Sequence, residues 1–142
     1  MRIKDVIGKT KVQDIMHTEF TSLDPSMSIE DAVRKEFKHY DYGAFPVTKG
    51  EEIVGLLTLS EIKRIPRIRW DGMKISTIMN EISNKNSLHR EESASVALTK
   101  MVKTKLDLLP VVENTTVKGI VTQDDLMKII NDTAEKSHQL LT

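Results

Sequence analysis

The stretch Gly55-Leu56-Leu57-Thr58-Leu59-Ser60-Glu61-Ile62 returns as Gly119-Ile120-Val121-Thr122-Gln123-Asp124-Asp125-Leu126, 64 residues further on. The order around it repeats as well: Ile15-Met16 recurs as Ile78-Met79 at an offset of 63, and Pro46-Val47 as Pro110-Val111 at 64. Self-similarity at a fixed period marks one structural unit used twice, and it directs attention to the seam between the copies. Each stretch is a short apolar run closed by a threonine, with an acid three residues later. Such a run reads as a strand passing into a helix, and Thr-x-x-acid at that junction is a helix-capping box in its own right. A hydroxyl and a carboxylate at a helix start also suit the binding of a sugar or phosphate.

Working outward, Lys11 to Met16 reads as a short helical turn and Phe20 to Leu23 as extended chain, before Asp24-Pro25 breaks the run. Ser28 is placed as the N-cap of a helix with acids in its first turn, and Ile29, Ala32, Val33, Phe37 and Tyr40 share its buried face. Gly43 ends that helix, Ala44–Thr48 and Ile53–Thr58 are paired strands, and Leu59 opens a closing helix. The second copy follows suit. Ile75–Met79 is the leading turn, Ser87-Leu88 is extended, and Ala94, Ala97, Leu98 and Met101 form the helical stripe. Leu108–Glu113 and Val117–Thr122 are strands, and Leu126, Ile129, Ile130 and Thr133 keep a helical period that Leu140-Leu141 extends. Each copy is thus β-α-β-β-α. From Ala32 to Pro46 there are 14 positions, but from Ala97 to Pro110 only 13, so the first copy carries an extra residue, assigned to the loop at Asp41-Tyr42-Gly43.

With 142 residues the chain has room for one ordinary domain, and half of it would bury too little surface to be stable alone. A shared core is expected. Lysine plus arginine and aspartate plus glutamate stand at 21 each, so no global field draws the protein to nucleic acid or to anionic lipid. Cysteine is absent, which removes disulfides and thiolate chemistry. No apolar run approaches the roughly 18 residues of a membrane span. The expectation is a cytoplasmic segment without membrane contact of its own, or the cytosolic part of a membrane protein. Between the copies, Lys63, Arg64, Arg67 and Arg69 and the one tryptophan, Trp70, make a basic connector punctuated by Pro66 and Gly72.

Catalysis finds no support in the motifs: there is no nucleophile elbow, no HExxH and no phosphate loop. His17, His39, His89 and His138 lack metal-ligand spacing, and His17, which follows Ile15-Met16, reads as a surface histidine. Tyr40 and Tyr42 read as packing residues, and the seven methionines as core filling. No catalytic residue, metal site or required cofactor is expected.

The order Asp14-Ile15-Met16, a capped helix, Ala44-Phe45-Pro46-Val47 and then Gly55 to Ile62 resembles a CBS motif, named after cystathionine β-synthase. Ser76-Thr77-Ile78-Met79, Leu108-Leu109-Pro110-Val111-Val112 and Gly119 to Leu126 resemble a second. The resemblance implies an α/β (α+β) tandem CBS pair, or Bateman module, with two sheets packed face to face, helices outside and pseudo-twofold symmetry. On this reading residues 11–66 are the first motif, 67–73 the connector, 74–132 the second motif and 133–142 a helical tail. It further implies a regulatory module that dimerises with itself, acts on an attached or separate effector, and binds AMP, ADP, ATP or S-adenosylmethionine between the copies.

Within that frame the physics ranks the sites. A carboxylate accepts two hydrogen bonds at once and can hold the vicinal hydroxyls of a ribose, the role given to Asp125. Thr122, at a helix start with free N–H groups, is assigned to a phosphate. Thr58 and Glu61 are the counterparts, but glutamate departs from the family's usual aspartate and is one methylene longer, so the Thr122/Asp125 cleft ranks first. The base is expected against Thr21, Ser22, Ala44, Phe45 and Pro46, or against Asn86, Ser87, Leu109 and Pro110. Two rival readings stand: a docking or dimerisation module with degenerate clefts, and a regulatory tail. The latter rests on Leu57 to Trp70 followed by Ile75 to Met79, which is similar to the CBS tails of site-2 protease-type membrane zinc metallopeptidases.

Overall fold

Two β-hairpins, built by the repeated stretches, organise the chain, which the computed structural model describes over residues 2–141. Strands β1 (Ala44–Lys49) and β2 (Glu52–Thr58) pair antiparallel from Ala44↔Thr58 to Lys49↔Glu52. Strands β3 (Leu108–Glu113) and β4 (Thr116–Thr122) pair from Leu108↔Thr122 to Glu113↔Thr116, which is the first register shifted by 64 throughout. Even the bulge is copied, at Val47/Thr48 and again at Val111/Val112. The expected hairpin strands are present, their continuous apolar runs following from burial on both faces, while the leading extended piece of each copy is reduced to a single parallel bridge, Leu23 to Val47 and Leu88 to Val111.

Alternate residues of each strand serve different cores. Phe45, Val47 and Leu57 face the helices of the first copy, while Leu109, Val111 and Val121 face those of the second. Ala44, Leu56, Leu108 and Ile120 point the other way and form a third cluster, drawn equally from both copies. This is the shared core that the length demanded. The hairpins touch as strands only at Glu52↔Thr116, giving the order β1-β2-β4-β3. Gly43 N–H donates to both oxygens of Asp107, at 2.9 and 3.1 Å. Both contacts join residues 64 apart, each with its own repeat equivalent. Two equivalent positions meet only on the symmetry axis, so these contacts mark the line of the pseudo-twofold.

The leading turns cross over. The turn α2 (Val12–Ile15) buries Val12 among Leu88, Ala94 and Leu109 of the second copy. Ile75, in the equivalent 3-10 turn Ile75–Thr77, is buried among Leu23, Ile29 and Leu57 of the first. After each turn the chain bridges to the other motif's strand, with His17 and Ile120 exchanging N–H···O bonds of 2.9 Å, as Leu56 and Asn80 do. Glycine at positions 55 and 119 now has a reason. A Cβ on Gly119 would stand 2.7 Å from His17 O, and one on Gly55 would stand 2.6 Å from Met79 Sδ.

The helices start as their caps dictate. Ser28 Oγ accepts from Asp31 N–H at the head of α3 (Ile29–Ala32), and Ser93 Oγ from Val96 N–H at the head of α5 (Ala94–Thr104). Thr58 Oγ1 does the same for Glu61 N–H in α4 (Leu59–Lys63). The extra residue of the first copy is not taken up by the loop. Helix α3 runs on into a π turn over Val33–Phe37, where Lys38 N–H reaches back five residues to Val33 O. A single insertion into a helix is absorbed in this way when the flanking residues are already fixed by packing. Here Ile29 and Ala32 anchor one side and the Phe45 cluster the other.

Two elements lie outside the sequence expectation. Helix α1 (Ile3–Lys9) lays Ile7 on the second core. The connector is a 3-10 helix over Arg67–Gly72, fastened by a 2.9 Å bond from Trp70 Nε1 to Ile65 O. Helix α6 (Gln123–Leu141) carries the backbone through Leu140-Leu141, and Thr142, the end of the expected tail, lies outside the described residues.

Candidate functional site

A cavity of about 400 Å³ opens where the crossing strand, the first copy and β4 converge. His17, Glu19, Phe20 and Thr21 line it from the crossing strand, Tyr40, Tyr42 and Phe45 from the first copy, and Leu108 and Ile120 from the second. Tyr42 also lines an adjoining cavity of about 330 Å³ with Asp41, Asp107, Thr122, Gln123 and Asp124. The site therefore belongs to neither copy alone.

Its aromatic wall is a packed set. The rings of Tyr40 and Tyr42 stack 6.4 Å apart at 8°, and Tyr42 meets Phe45 edge to face at 6.4 Å. Phe45 is pinned in turn by Phe37 at 4.8 Å. Phe37 closes the π turn, so the extra residue of the first copy sits directly behind this wall. The tyrosines pack, as their sequence positions imply, and both also line the cavity, which gives it the aromatic surface that suits a planar ring. The signal available in the sequence was the spacing Tyr40-x-Tyr42 beside an insertion.

At the other end Asp125 is the centre of the hydrogen bonding. Its Oδ2 accepts from Thr122 N–H at 2.8 Å and from Thr122 Oγ1–H at 2.9 Å. Thr122 Oγ1 accepts Asp125 N–H at 3.3 Å, which completes the capping box. Its Oδ1 meets His17 Nε2 at 2.6 Å, and since a carboxylate only accepts, the ring nitrogen carries the proton. His17 is thus no idle surface histidine, although its side chain remains 52% exposed against 17% for Asp125. One lone-pair direction of Oδ1 stays open, and a second becomes available if the imidazole swings out. A further first-turn donor of α6 is engaged too, because Gln123 N–H is held by Asp107 O at 2.8 Å. The phosphate position expected at Thr122 therefore has its hydroxyl and neighbouring N–H groups engaged internally. Burial raises the pKa of the Tyr42 phenol above its ordinary 10.0, with Asp125, Asp124, Asp107 and Asp41 adding to the shift.

The remaining predicted residues are distributed as follows. Thr21 and Phe45 line the larger cavity and Thr122 the adjoining one, Asp125 meets both through its bonds to His17 and Thr122, and Ala44 is buried in the cluster between copies. Ser22 accepts from Thr48 Oγ1 at 3.0 Å and lines a separate cavity of about 360 Å³. Pro46 is buried, its carbonyl holding Leu23 N–H at 2.9 Å, and Pro110 does the same for Leu88. Leu109 sits in the second core. Asn86 braces its own loop through Glu81 O and Ser83 N, and Ser87 Oγ donates to Ser83 O at 2.6 Å. In the other repeat, buried Thr58 caps α4, and Glu61 reaches Arg64 at 3.5 Å. The opposite cleft lacks the aromatic pair, since Leu106 stands where the first copy has Tyr42.

A fold of two intertwined β-α-β-β-α repeats with a Thr-x-x-acid turn in each defines a class, and comparison with known proteins agrees. The chain belongs to the CBS domain family, whose model matches residues 12–67 and 75–132. Two solved structures are similar. One is the CBS domain of the bacterial CNNM/CorC family Mg2+ transporter in complex with ATP, 19% identical, with a TM-score of 0.73 over 90% of this chain and 92% of that one. The other is the CBS domain pair of protein MJ0100 in complex with 5-methylthioadenosine and S-adenosyl-L-methionine, 25% identical, with a TM-score of 0.70 over 87% and 98%. Among curated proteins, the zinc metalloprotease MJ0392 of Methanocaldococcus jannaschii is 24% identical over 131 residues, 92% of this chain and 35% of that protein. The first curated relatives are likewise longer, and the chain spans 43% and 26% of their lengths. No helix among the described residues is long and apolar enough to cross a membrane.

Proposed function

We propose that this chain is a regulatory ligand-sensing module that binds an adenine nucleotide or a related adenosyl compound in the cleft between its repeats. The observation that carries this is the convergence, around Tyr42, of an aromatic wall from one copy and the Thr122/Asp125 turn from the other. The purine stacks on the tyrosine wall, and Asp125 accepts from a ribose hydroxyl through the free direction of Oδ1. A ligand that touches both repeats favours one mutual orientation, and an effector reads that shift in population. The module acts as a homodimer and does no chemistry itself. Membership of the CBS family and the adenosyl ligands named for MJ0100 support the reading.

Calorimetric titration with AMP, ADP, ATP and S-adenosylmethionine tests it. At least one should bind, and Asp125→Ala should weaken binding more than Glu61→Ala, because Glu61 serves the cleft without the aromatic wall. Absence of binding by all four at millimolar concentration overturns the proposal in favour of a passive docking or dimerisation module. The likeness to MJ0392 supports a setting as the cytosolic regulatory tail of a membrane metallopeptidase. Sequence upstream of Met1 encoding hydrophobic spans and HExxH would bear that out.

A further inference from the structure

We infer that the cleft selects adenosyl ligands whose 5′ substituent is neutral or cationic, and discriminates against free 5′-phosphates. The inference rests on the adenosyl reading above and deepens it.

Two independent observations carry it. The first is charge. The paired cavities are lined by Glu19, Asp41, Asp107 and Asp124, with Asp125 held between their lining residues His17 and Thr122. Against these carboxylates stands a single imidazole, and neither lining contains a lysine or arginine. The nearest lysine is Lys105, which lines the next cavity along, beyond the Asp107 and Gln123 that the two cavities share. The second observation is hydrogen bonding. A phosphate at a helix start needs unpaired N–H donors, yet most of the donors at the head of α6 are consumed, with Asp124 N–H the one left over. Thr122 N–H and Oγ1–H go to Asp125, Asp125 N–H goes to Thr122 Oγ1, and Gln123 N–H goes to Asp107 O.

A dianionic phosphate placed here meets repulsion, with Asp124 N–H as the one uncommitted backbone donor of the first turn to offset it. A sulfonium or ammonium on the same carbon chain meets attraction, because opposite charges a few ångströms apart near a protein surface are worth several times thermal energy. Asp41 and Asp124 are exposed, so solvent and salt screen part of the effect. A tenfold discrimination, about 1.4 kcal/mol, is well within this range.

The test titrates the native chain at low salt, with a chelator present, against S-adenosylmethionine, 5′-methylthioadenosine and AMP. S-adenosylmethionine should bind about tenfold or more tighter than AMP, with the neutral thioether nucleoside between them. Raising the salt should weaken the cationic ligand and leave the neutral one unchanged. The double substitution Asp41→Asn, Asp124→Asn should bring S-adenosylmethionine and AMP toward equal affinity. Unchanged affinity for methylthioadenosine in that variant shows an intact fold and cleft. AMP binding as tightly as S-adenosylmethionine to the native chain overturns the inference while sparing the adenosyl reading, and so does a ratio unmoved in the double variant. Failure of all three ligands removes the adenosyl reading and the inference with it.

Discussion

Replacing Gly119 by alanine tests the crossing of the leading segments directly. The new methyl would lie 2.7 Å from the carbonyl oxygen of His17 and 3.1 Å from Cγ and Sδ of Met16. The closest obstacle is backbone, so the crossing strand itself must move. Overpacking of this kind costs about 1–3 kcal/mol. Moving the strand also strains the two 2.9 Å bonds between His17 and Ile120, each worth about 0.5–1.5 kcal/mol. Alanine returns about 0.4–1 kcal/mol by restricting the unfolded chain. The balance is a loss of about 3 kcal/mol, which for a chain of this size lowers Tm by about 6–12 °C. Gly55→Ala should cost less, because the nearest atoms there, Met79 Sδ at 2.6 Å and Cγ at 2.8 Å, belong to a flexible side chain. Gly72→Ala is the control, with nothing within 4 Å of its Cβ. Urea and thermal unfolding of the three variants decide the matter. A Gly119→Ala protein as stable as Gly72→Ala would refute the reasoning, since it would mean that no segment lies against that face of β4.

Two further predictions concern titration and a turn. The raised pKa of Tyr42 stabilises the fold fully below pH 10.0, and that contribution is lost as pH climbs through the higher folded value, where unfolding releases a proton. Ultraviolet titration of phenolate should show an ionisation above the ordinary tyrosine value that Tyr42→Phe removes; a titration curve with the same high-pH phase in that variant would contradict it. Asn114 and Thr115 both hold positive φ, at 50° and 67°, in the turn between β3 and β4. Such turns favour Asn-Gly, so Thr115→Gly should stabilise the protein by about 0.5–1 kcal/mol in chemical denaturation. A destabilised variant would show that the threonine side chain holds the turn.

Periodicity and caps were enough to place both hairpins and the longer helices, because each is decided within a few residues of itself. Ser28, Thr58 and Thr122 all cap where the pattern put them. The crossing was not legible. Val12 opens the first motif in sequence but fills the second core, and nothing local in Lys11–Met16 distinguishes one apolar hole from another. The count from Ala32 to Pro46 revealed an extra residue but not its place, since a helix with both flanks packed can take it as a π turn. The candidate site was half visible. Thr122 and Asp125 stand out in the repeat, whereas the pairing of Asp125 with His17 spans 108 residues and the Tyr40–Tyr42 wall arises from the insertion behind it.

The crossing also changes what counts as the frame of the molecule. The chain begins on the second lobe through Ile7 and Val12, leaves it after Met16, builds the first lobe, and returns for good after Met79. Topologically, the first lobe is an insert spliced into the second. It hangs from two bridging strands, one through His17 against β4 and one through Asn80 against β2. Helix α1 and helix α6 both belong to the host lobe, so force arriving from either direction along the chain enters the insert through those two covalent connections, with the shared cluster of Ala44, Leu56, Leu108 and Ile120 bracing it from the side. One of them, from His17 to Thr21, is the wall of the main cavity. An occupant of that cavity would lie against the connection between host and insert, where it would touch both at once.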